Sequence, residues 1–245
     1  MDVNHVERET MTELPSYLAA AWGKQERPSR GPKPALSLDR IVAAGVALAD
    51  AEGLAAVSMS RVAAEVGAKP MSLYRYVDSK DDLLVLMIDH AGGPAPEIDA
   101  PDWRAGLTEW SWAYLDQLRA HPWIMRVPIH RPPSTPKQLR WLESGLRVLK
   151  EFTSDHKMGT MLLLSGYVRS YAMLTADIQE ANADPDEMMV DYGNMLRALV
   201  DAAEFPELAK VIAAGAFDHN PDEEPDADFV FGLERILDGV ARIAG

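Results

Sequence analysis

The sequence of 245 residues contains no cysteine. This absence excludes disulfide bonds, thiolate zinc sites, iron–sulfur clusters and a cysteine nucleophile, and it favours a reducing, cytoplasmic location. No run approaches the roughly 18 consecutive apolar residues of a membrane-spanning helix, so we expect no membrane partner. Residues 1–13 are polar and acidic, which argues against a secretory signal.

Motifs of catalysis are missing as well. The sequence has no glycine-rich phosphate loop and no G-x-S-x-G nucleophile elbow. Asp78, Asp81 and Asp82 could pass for paired carboxylates, but their place at a predicted helix start makes capping the simpler explanation. The histidines are scattered without metal-ligand spacing, and the acidic segment 221–228 lacks the glycine of an EF-hand loop. We therefore predict a protein that is not an enzyme and holds no metal or other cofactor.

Charge is distributed unevenly along the chain. The net charge of −14, taken alone, argues against a nucleic-acid partner, because binding DNA requires Lys and Arg to neutralise phosphates. Residues 23–80, however, carry nine basic and six acidic residues, a net charge of +3, whereas residues 81–245 carry fourteen basic and twenty-eight acidic ones. Such asymmetry indicates separate partners for separate parts. Residues 23–34, GKQERPSRGPKP, are predicted to form either an extended basic arm or a plain linker.

Apolar residues, 47% of the chain, recur at helical spacing almost throughout, with no sustained two-residue alternation. The pattern predicts an all-α protein with an N-terminal extension and arm at 1–36, a small three-helix head at 37–91 and a larger helical body at 92–245. The predicted helices cover residues 11–22, 37–52, 59–66, 70–77, 79–91, 103–120, 136–152, 155–182, 186–203, 206–216 and 227–243.

Two of these helices, 59–66 and 70–77, have the spacing of a helix-turn-helix. The residues expected to pack inward are Val62, Ala63, Val66, Leu73 and Val77. The residues expected to face outward, where side chains reach base edges in the major groove, are Lys69, Met71, Ser72, Arg75 and Tyr76. Tyr74 and Lys80 would flank them with groups suited to phosphate oxygens. Helix-turn-helix pairs also occur in proteins that do not bind DNA.

The string AVSMSRVAAEVGAKPMSLYRYVDSKDDLL, residues 56–84, resembles the DNA-binding head of the TetR/AcrR-type bacterial transcriptional regulators. Its most diagnostic part is LYRYV with Lys80 and Leu83 downstream, and the likeness extends back through residues 39–53. Further on, WRAGL, HPW and RPP within residues 103–133 resemble the C-terminal domain of a subset close to the tetracycline repressor.

The resemblance implies DNA contacts at the matching positions. The start of the first motif helix, which in relatives approaches the DNA backbone and an edge base, corresponds to Ser58, Met59 and Ser60. The start of the recognition helix corresponds to Lys69, Pro70, Met71 and Ser72. Tyr74 and Tyr76 match backbone-contacting positions, and Lys80 matches a phosphate-binding lysine. Many relatives have a Ser or Thr cap where this chain has Ala68-Lys69, so the recognition helix should begin less well satisfied.

For the body, the resemblance implies a homodimer that binds a small ligand. One apolar stripe contains Leu163, Tyr167, Ser170 and Leu174, and a second contains Phe229, Leu233, Ile236, Val240 and Ile243. Together they predict a four-helix dimer interface, unless both simply face their own core. Aromatic and methionine side chains predict a pocket for an apolar or aromatic effector, again with plain core as the alternative. The pocket candidates are Trp110, Tyr114, Trp141, Met161 and Ser165.

Together these features predict a cytoplasmic, homodimeric, ligand-responsive transcriptional regulator. We expect a repressor that binds palindromic double-stranded operator DNA and is released by a small apolar or aromatic molecule. Two alternatives stay open at this point: an all-α small-molecule carrier or catalyst whose head no longer binds DNA, and an activator with the same head.

Overall fold

A computed structural model describes residues 14–24, 36–130, 132–180, 185–218, 224 and 226–243. Within these ranges the chain forms eleven α-helices, two short 3₁₀ turns and no β-strand, so the predicted all-α fold is confirmed. In this part of the chain, no helix combines the length and the apolar character needed to cross a membrane. Most of the predicted basic arm lies outside the described residues.

The helices in chain order are α1 (Ser16–Ala21), α2 (Leu38–Glu52), α3 (Met59–Glu65), α4 (Pro70–Leu73), α5 (Lys80–Ala91), α6 (Trp103–Ala120), α7 (Pro136–Val148), α8 (Ser154–Glu180), α9 (Pro185–Leu199), α10 (Pro206–Ala213) and α11 (Ala227–Ala241). The 3₁₀ turns are Leu54–Ala56 and Pro122–Arg126. Most bounds lie within a few residues of the predicted ones.

Serine hydroxyls fix where the helices of the head begin. Ser37, Ser58 and Ser79 each accept a hydrogen bond from a backbone N–H of the first turn, at 3.3, 3.2 and 3.1 Å respectively. Each cap satisfies one of the donors that a helix start leaves without a partner, and such a cap typically stabilises a helix by about 1 kcal/mol. The starts of α2, α3 and α5 are therefore encoded locally, as predicted.

The chain divides into two compact units, one comprising Met1–Ala113 and Ala120–Lys150, the other comprising Tyr114–Arg119 and Glu151–Gly245. Helix α6 thus supplies residues to both. The core of the first unit includes Ile41 of α2 and both Leu83 and Met87 of α5. None of these side chains is exposed to solvent. The predicted division between head and body at residue 92 stays a prediction.

In the second unit, α8 packs against α11 through aromatic side chains. The Phe229 ring lies 5.5 Å from the Tyr167 ring and 5.2 Å from the Tyr171 ring, measured between centroids. Phe229, Leu233 and Val240 are at most 3% exposed. These three residues of the second predicted interface stripe therefore belong to the core of their own subunit, and their prediction as interface residues is wrong.

Candidate nucleic-acid interface and effector-binding residues

Helices α3 and α4 form a helix-turn-helix whose inner face is buried. Val62 and Ala63 of α3, Leu73 of α4 and Val77 beyond it are completely buried, as predicted. Gly67 lies between the helices at a φ of +69°, a left-handed conformation that strongly favours glycine. The apolar face and this glycine fix the direction in which α4 leaves α3.

The outer face of the motif carries most of the predicted DNA-contacting residues. Its exposed members are Ser60, Lys69, Pro70, Met71, Tyr74, Arg75 and Lys80. Ser58 and Ser72 are half-buried. Met71 is 74% exposed, so its side chain is accessible to a partner. The face therefore offers cations, a phenol and one apolar side chain on a short, rigid element.

Two predicted contact residues face the protein instead. Met59 is 8% exposed, so its side chain packs in the core of the head. The prediction that this side chain contacts DNA directly is therefore wrong. Tyr76 is half-buried, and its hydroxyl donates a hydrogen bond to the Leu36 carbonyl oxygen at 2.9 Å. The expectation that Tyr76 faces outward is therefore wrong, because its phenol attaches the segment before α2 to the end of the motif.

Helix α4 begins without a side-chain cap at Lys69, which confirms the predicted weakness of this helix start. Pro70 occupies the first helical position, where its missing N–H costs nothing. The helix ends at Leu73 rather than at the predicted Val77, and the N–H groups of Tyr76 and Val77 both bond to the Leu73 carbonyl. Tyr74 and Arg75 therefore lie in a turn and not on a regular helix face.

Helix α5 connects this motif to α7. Asp89 of α5 accepts hydrogen bonds from the backbone N–H groups of Lys137 and Gln138 at 2.8 and 3.3 Å, so it caps the start of α7. The Trp141 indole N–H donates to the Gly92 carbonyl at 2.8 Å. Because α5 also begins at Lys80, one helix joins the motif to the tryptophan-bearing helix.

Helix α1 and the tryptophan that follows it make a second set of contacts within the first unit. No pattern in the sequence predicted these contacts. Tyr17 is 2% exposed, and Ser16 donates a hydrogen bond to the Asp78 carboxylate at 2.6 Å. The Trp22 indole N–H donates to the Ser134 carbonyl at 3.0 Å. The N-terminal extension is thus anchored both beside the motif and beside the start of α7.

The predicted effector-binding residues of the first unit lie together. Trp110 is 3% exposed, its ring meets the Trp141 ring edge-on at 6.2 Å between centroids, and its N–H donates to the Trp141 carbonyl at 3.1 Å. Both indole N–H groups are therefore engaged by backbone oxygens. Trp110 and Trp141 can offer a ligand their rings but no free donor.

The remaining three candidates belong to the second unit. Tyr114 is half-buried, Met161 is 2% exposed and Ser165 is half-buried. The Ser165 hydroxyl donates to the Met161 carbonyl at 2.6 Å, one turn earlier on α8. Two open grooves of about 500 and 390 Å³ lie elsewhere, one against Trp22 and Arg140 and the other against Arg197 and Ile212, and no predicted effector residue lines either.

A polar cluster holds the start of α11 in the second unit. Asp226 has a φ of +62° and accepts hydrogen bonds from the Arg119 guanidinium and, at 2.8 Å, from the Tyr171 hydroxyl. The Arg119 hydrogen bonds lower the pKa of Asp226, whereas burial is the main cause that raises the pKa of Tyr171. Among the described residues, no group of three or more histidine or carboxylate side chains is placed to hold a metal ion.

An apolar surface runs along the outside of α8. Its leucines are among the most exposed apolar residues of the chain: Leu162 is 77%, Leu163 52% and Leu174 59% exposed. A Cβ placed at Gly159 or Gly166 of the same helix would meet no atom of the described chain within 4 Å. Leu163 and Leu174 of the first predicted interface stripe therefore do lie on an open apolar face. Tyr167 of that stripe stacks on Phe229 of its own subunit, so its prediction as an interface residue is wrong.

Comparison with known proteins identifies the family. Residues 41–87 match the family model described as bacterial regulatory proteins, tetR family, and residues 95–243 match the one described as tetracyclin repressor-like, C-terminal domain. The second match alone spans more than half of the chain.

Curated relatives and solved structures agree with these matches. The chain is 38% identical over 234 residues to the HTH-type transcriptional repressor DrrR1 of Streptomyces coeruleorubidus, an alignment that covers 91% of this chain and 84% of that protein. It is 28% identical to an HTH-type transcriptional regulator of Saccharopolyspora erythraea, with 92% and 93% coverage. The crystal structure of Streptomyces coelicolor ActR in complex with actinorhodin superposes with a TM-score of 0.73 at 28% identity, covering 87% and 99% of the two chains. Regulators of this family are generally not enzymes. The chain belongs to the TetR family of bacterial transcriptional regulators.

Proposed function

We propose that this regulator is a repressor that binds a palindromic operator as a homodimer and leaves it when a small apolar or aromatic effector binds. The observation that carries the proposal is the two-sided helix-turn-helix. Its inner residues Val62, Leu73 and Val77 are completely buried, while Lys69 and Arg75 stand exposed on the outer side.

The chemistry of the outer face matches duplex DNA. Lys69 and Arg75 can donate to guanine O6 and N7 or to phosphate oxygens, and the exposed Met71 can cover a thymine methyl group. Lys80 is the first residue of α5, and the Ser79 cap fixes where that helix begins. The exposed Lys80 side chain therefore extends from a fixed backbone position near the motif. These residues supply both positioning contacts to phosphates and specific contacts to bases.

Dimerisation is supported by the open face of α8. Leu162, Leu163 and Leu174 form an exposed apolar surface on a helix of 27 residues, and Phe231 of α11 is 65% exposed. A twofold partner that repeats this surface would remove these side chains from water. Two heads carried by such a dimer would read half-sites about 34 Å apart, one turn of DNA.

Effector control is supported by the connections within the first unit. The Trp110 ring meets the ring of Trp141 on α7. The Asp89 carboxylate and the Gly92 carbonyl both accept hydrogen bonds from α7, so they attach α7 to α5. A ligand that displaced α7 would therefore pull on the helix that begins beside the DNA-reading motif. Such coupling between two sites is typically about 1–3 kcal/mol and is reciprocal. Because ActR is similar to this chain and is solved in complex with actinorhodin, we infer that actinorhodin or a related compound is the effector.

Selection of duplexes from a random DNA pool, followed by affinity measurement, tests the DNA part of the proposal. We expect a palindromic site, and a loss of about 10-fold or more in affinity for Tyr74→Ala and for Lys80→Ala. Arg147→Ala is the matched control, since Arg147 is an exposed cation of α7 paired with Glu143. Unchanged affinity in both head variants would refute the assignment, and failure to bind any duplex at low salt would favour a small-molecule carrier.

Isothermal titration with actinorhodin tests the effector part. Trp110→Phe and Trp141→Phe keep an aromatic ring but reduce its area, so we expect weaker binding in each. Trp22→Phe is the control because Trp22 follows α1 and its indole N–H donates to the Ser134 carbonyl. Adding actinorhodin to the operator complex should also release the DNA, and tighter operator binding instead would point to an activator or a corepressor response.

A further inference from the structure

The groove of about 500 Å³ in the first unit, named here the α1–α7 groove, has a volume usual for small-molecule sites, which span about 300–1,000 Å³. Its lining residues come from the end of α1 and the first half of α7, and they are Ala21, Trp22, Pro136, Leu139, Arg140 and Glu143. Neither Trp110 nor Trp141 lines it. The groove is therefore separate from the predicted effector-binding pair of the same unit.

The Trp22 side chain gives the α1–α7 groove an aromatic wall. Trp22 is 43% exposed, more than any other tryptophan of the chain. Its indole N–H donates to the Ser134 carbonyl at 3.0 Å, and this bond attaches the ring to the segment just before α7. Because the indole nitrogen is already engaged, Trp22 offers a ligand only its ring surface. Such a surface favours a planar aromatic partner.

Arg140 gives the groove a positive charge that the protein does not neutralise. Helix α7 carries three cations, and two of them are engaged: the Lys137 ammonium donates to the His90 carbonyl at 3.1 Å, and the Arg147 guanidinium pairs with Glu143 at 3.1 Å. Arg140 is exposed and forms no hydrogen bond or ion pair with the described part of the chain. Since Glu143 is paired with Arg147, the groove offers an anion one guanidinium that is available.

The rest of the groove is apolar, and the elements that form it are held in place without a ligand. Ala21, Pro136 and Leu139 are half-buried. Tyr17 anchors α1 because it is 2% exposed, and the Asp89 carboxylate fixes the start of α7. A site whose walls are already fixed loses less conformational freedom when a ligand binds.

We propose that the α1–α7 groove is a second ligand site, which binds a small planar aromatic anion such as an aromatic carboxylate. The ligand ring would lie against the Trp22 indole, and its carboxylate would accept two parallel hydrogen bonds from Arg140. A neutral aromatic molecule lacks the charge that strengthens these bonds, and an aromatic cation would be repelled by the guanidinium. This site goes beyond the proposed function, because it uses none of the predicted effector-binding residues.

Isothermal titration with 2-naphthoate tests the site, and 2-naphthamide is the neutral probe of similar shape. We expect wild type to bind 2-naphthoate about 10-fold more tightly than 2-naphthamide, and Arg140→Gln to lose about 10-fold in affinity for 2-naphthoate. Glu143→Gln should bind 2-naphthoate at least as tightly as wild type, because it removes a negative charge from the groove. Lys150→Gln is the matched control, since Lys150 is an exposed cation of the same unit that does not line the groove.

The aromatic part of the proposal is tested with decahydro-2-naphthoate, which keeps the carboxylate and loses the aromatic ring. It should bind more weakly than 2-naphthoate, because it cannot stack on Trp22. Thermal unfolding without ligand provides the check on folding, and Arg140→Gln should unfold at the wild-type temperature because the side chain is exposed.

Three results would overturn the proposal. If wild type does not bind 2-naphthoate, the groove is not a site for such anions, and the proposed function is unaffected. Equal affinity of Arg140→Gln and wild type for 2-naphthoate would show that the guanidinium does not bind the carboxylate. Actinorhodin affinity should be the same in Arg140→Gln and wild type, and a clear loss in the variant would show that the groove belongs to the effector site and is not a second one.

Discussion

Two exposed surfaces of this molecule have opposite chemistry. Around α4 the exposed residues are mostly polar or charged, with Lys69, Arg75 and Lys80 supplying cations, whereas one face of α8 exposes Leu162, Leu163 and Leu174. Exposed cations cost little free energy in water, and they gain favourable interactions beside DNA phosphates. Exposed leucines have a cost in water until another apolar surface covers them. The difference indicates two partners, a duplex for α4 and a second copy of the chain for α8.

The charge of the chain follows the same division. Residues 23–80 have a net charge of +3, with nine basic and six acidic residues, and residues 81–245 have twenty-eight acidic residues against fourteen basic ones. The acidic residues 81–245 are repelled by DNA phosphates, so they favour approach through residues 23–80. The total of −14 therefore does not oppose DNA binding, and we expect weak non-specific binding at physiological salt.

Breaking the apolar surface should have the largest effect. Leu162→Glu places a charge on the exposed face of α8, which water tolerates but a helix–helix interface does not. We expect a monomer in analytical ultracentrifugation and at least a 100-fold loss of operator affinity, since one head binds alone. Ser154→Glu, at the exposed start of the same helix, should remain dimeric. A dimeric Leu162→Glu variant with normal operator affinity would show that the interface lies elsewhere.

A smaller effect, on stability, is expected from the hydrogen bonds of Asp226 that hold the start of α11. Because Arg119 lowers the pKa of Asp226 in the folded state, the ionised carboxylate stabilises the fold above its unfolded pKa of about 3.9. That contribution is lost as the pH falls through the lower folded pKa. Asp226→Asn should lower the free energy of unfolding by about 2 kcal/mol at pH 7 and flatten the decline below about pH 4. Unfolding curves that coincide with wild type from pH 7 to 3 would argue against the cluster.

The smallest effect separates the two tyrosines of the motif. Tyr76→Phe removes the hydrogen bond to Leu36 and should cost about 1 kcal/mol of stability, measured by chemical denaturation. Its operator affinity should fall far less than that of Tyr74→Ala, because Tyr74 is 44% exposed and Tyr76 faces the protein. If Tyr76→Phe instead reduced affinity as strongly as Tyr74→Ala, the hydroxyl of Tyr76 would be a DNA contact after all.

Local signals made the head predictable. Each serine cap and the inward pattern of Val62, Leu73 and Val77 depend on residues a few positions apart, and the sequence records them directly. Tyr76 was misjudged because its partner, Leu36, lies forty residues earlier. Met59 was misjudged because the first turn of a helix does not reveal which side the core lies on.

The second unit was less predictable because its apolar residues serve two purposes. Phe229 and Leu174 look alike in a helical pattern, yet the first is completely buried against α8 and the second is 59% exposed. Periodicity identifies an apolar face but not what covers it. The partner of Asp226, Arg119, is more than a hundred residues away, so no local pattern in the sequence reveals this pair.

The salt dependence of operator binding tests the central claim, that the outer face of α4 and the start of α5 bind DNA. The logarithm of the affinity should fall linearly with the logarithm of the salt concentration, by about 0.9 for each phosphate neutralised. Lys80→Gln should reduce the steepness by about 0.9, while Lys150→Gln, which removes an exposed cation just after α7, should leave it unchanged. A slope for Lys80→Gln equal to that of wild type would contradict the claim.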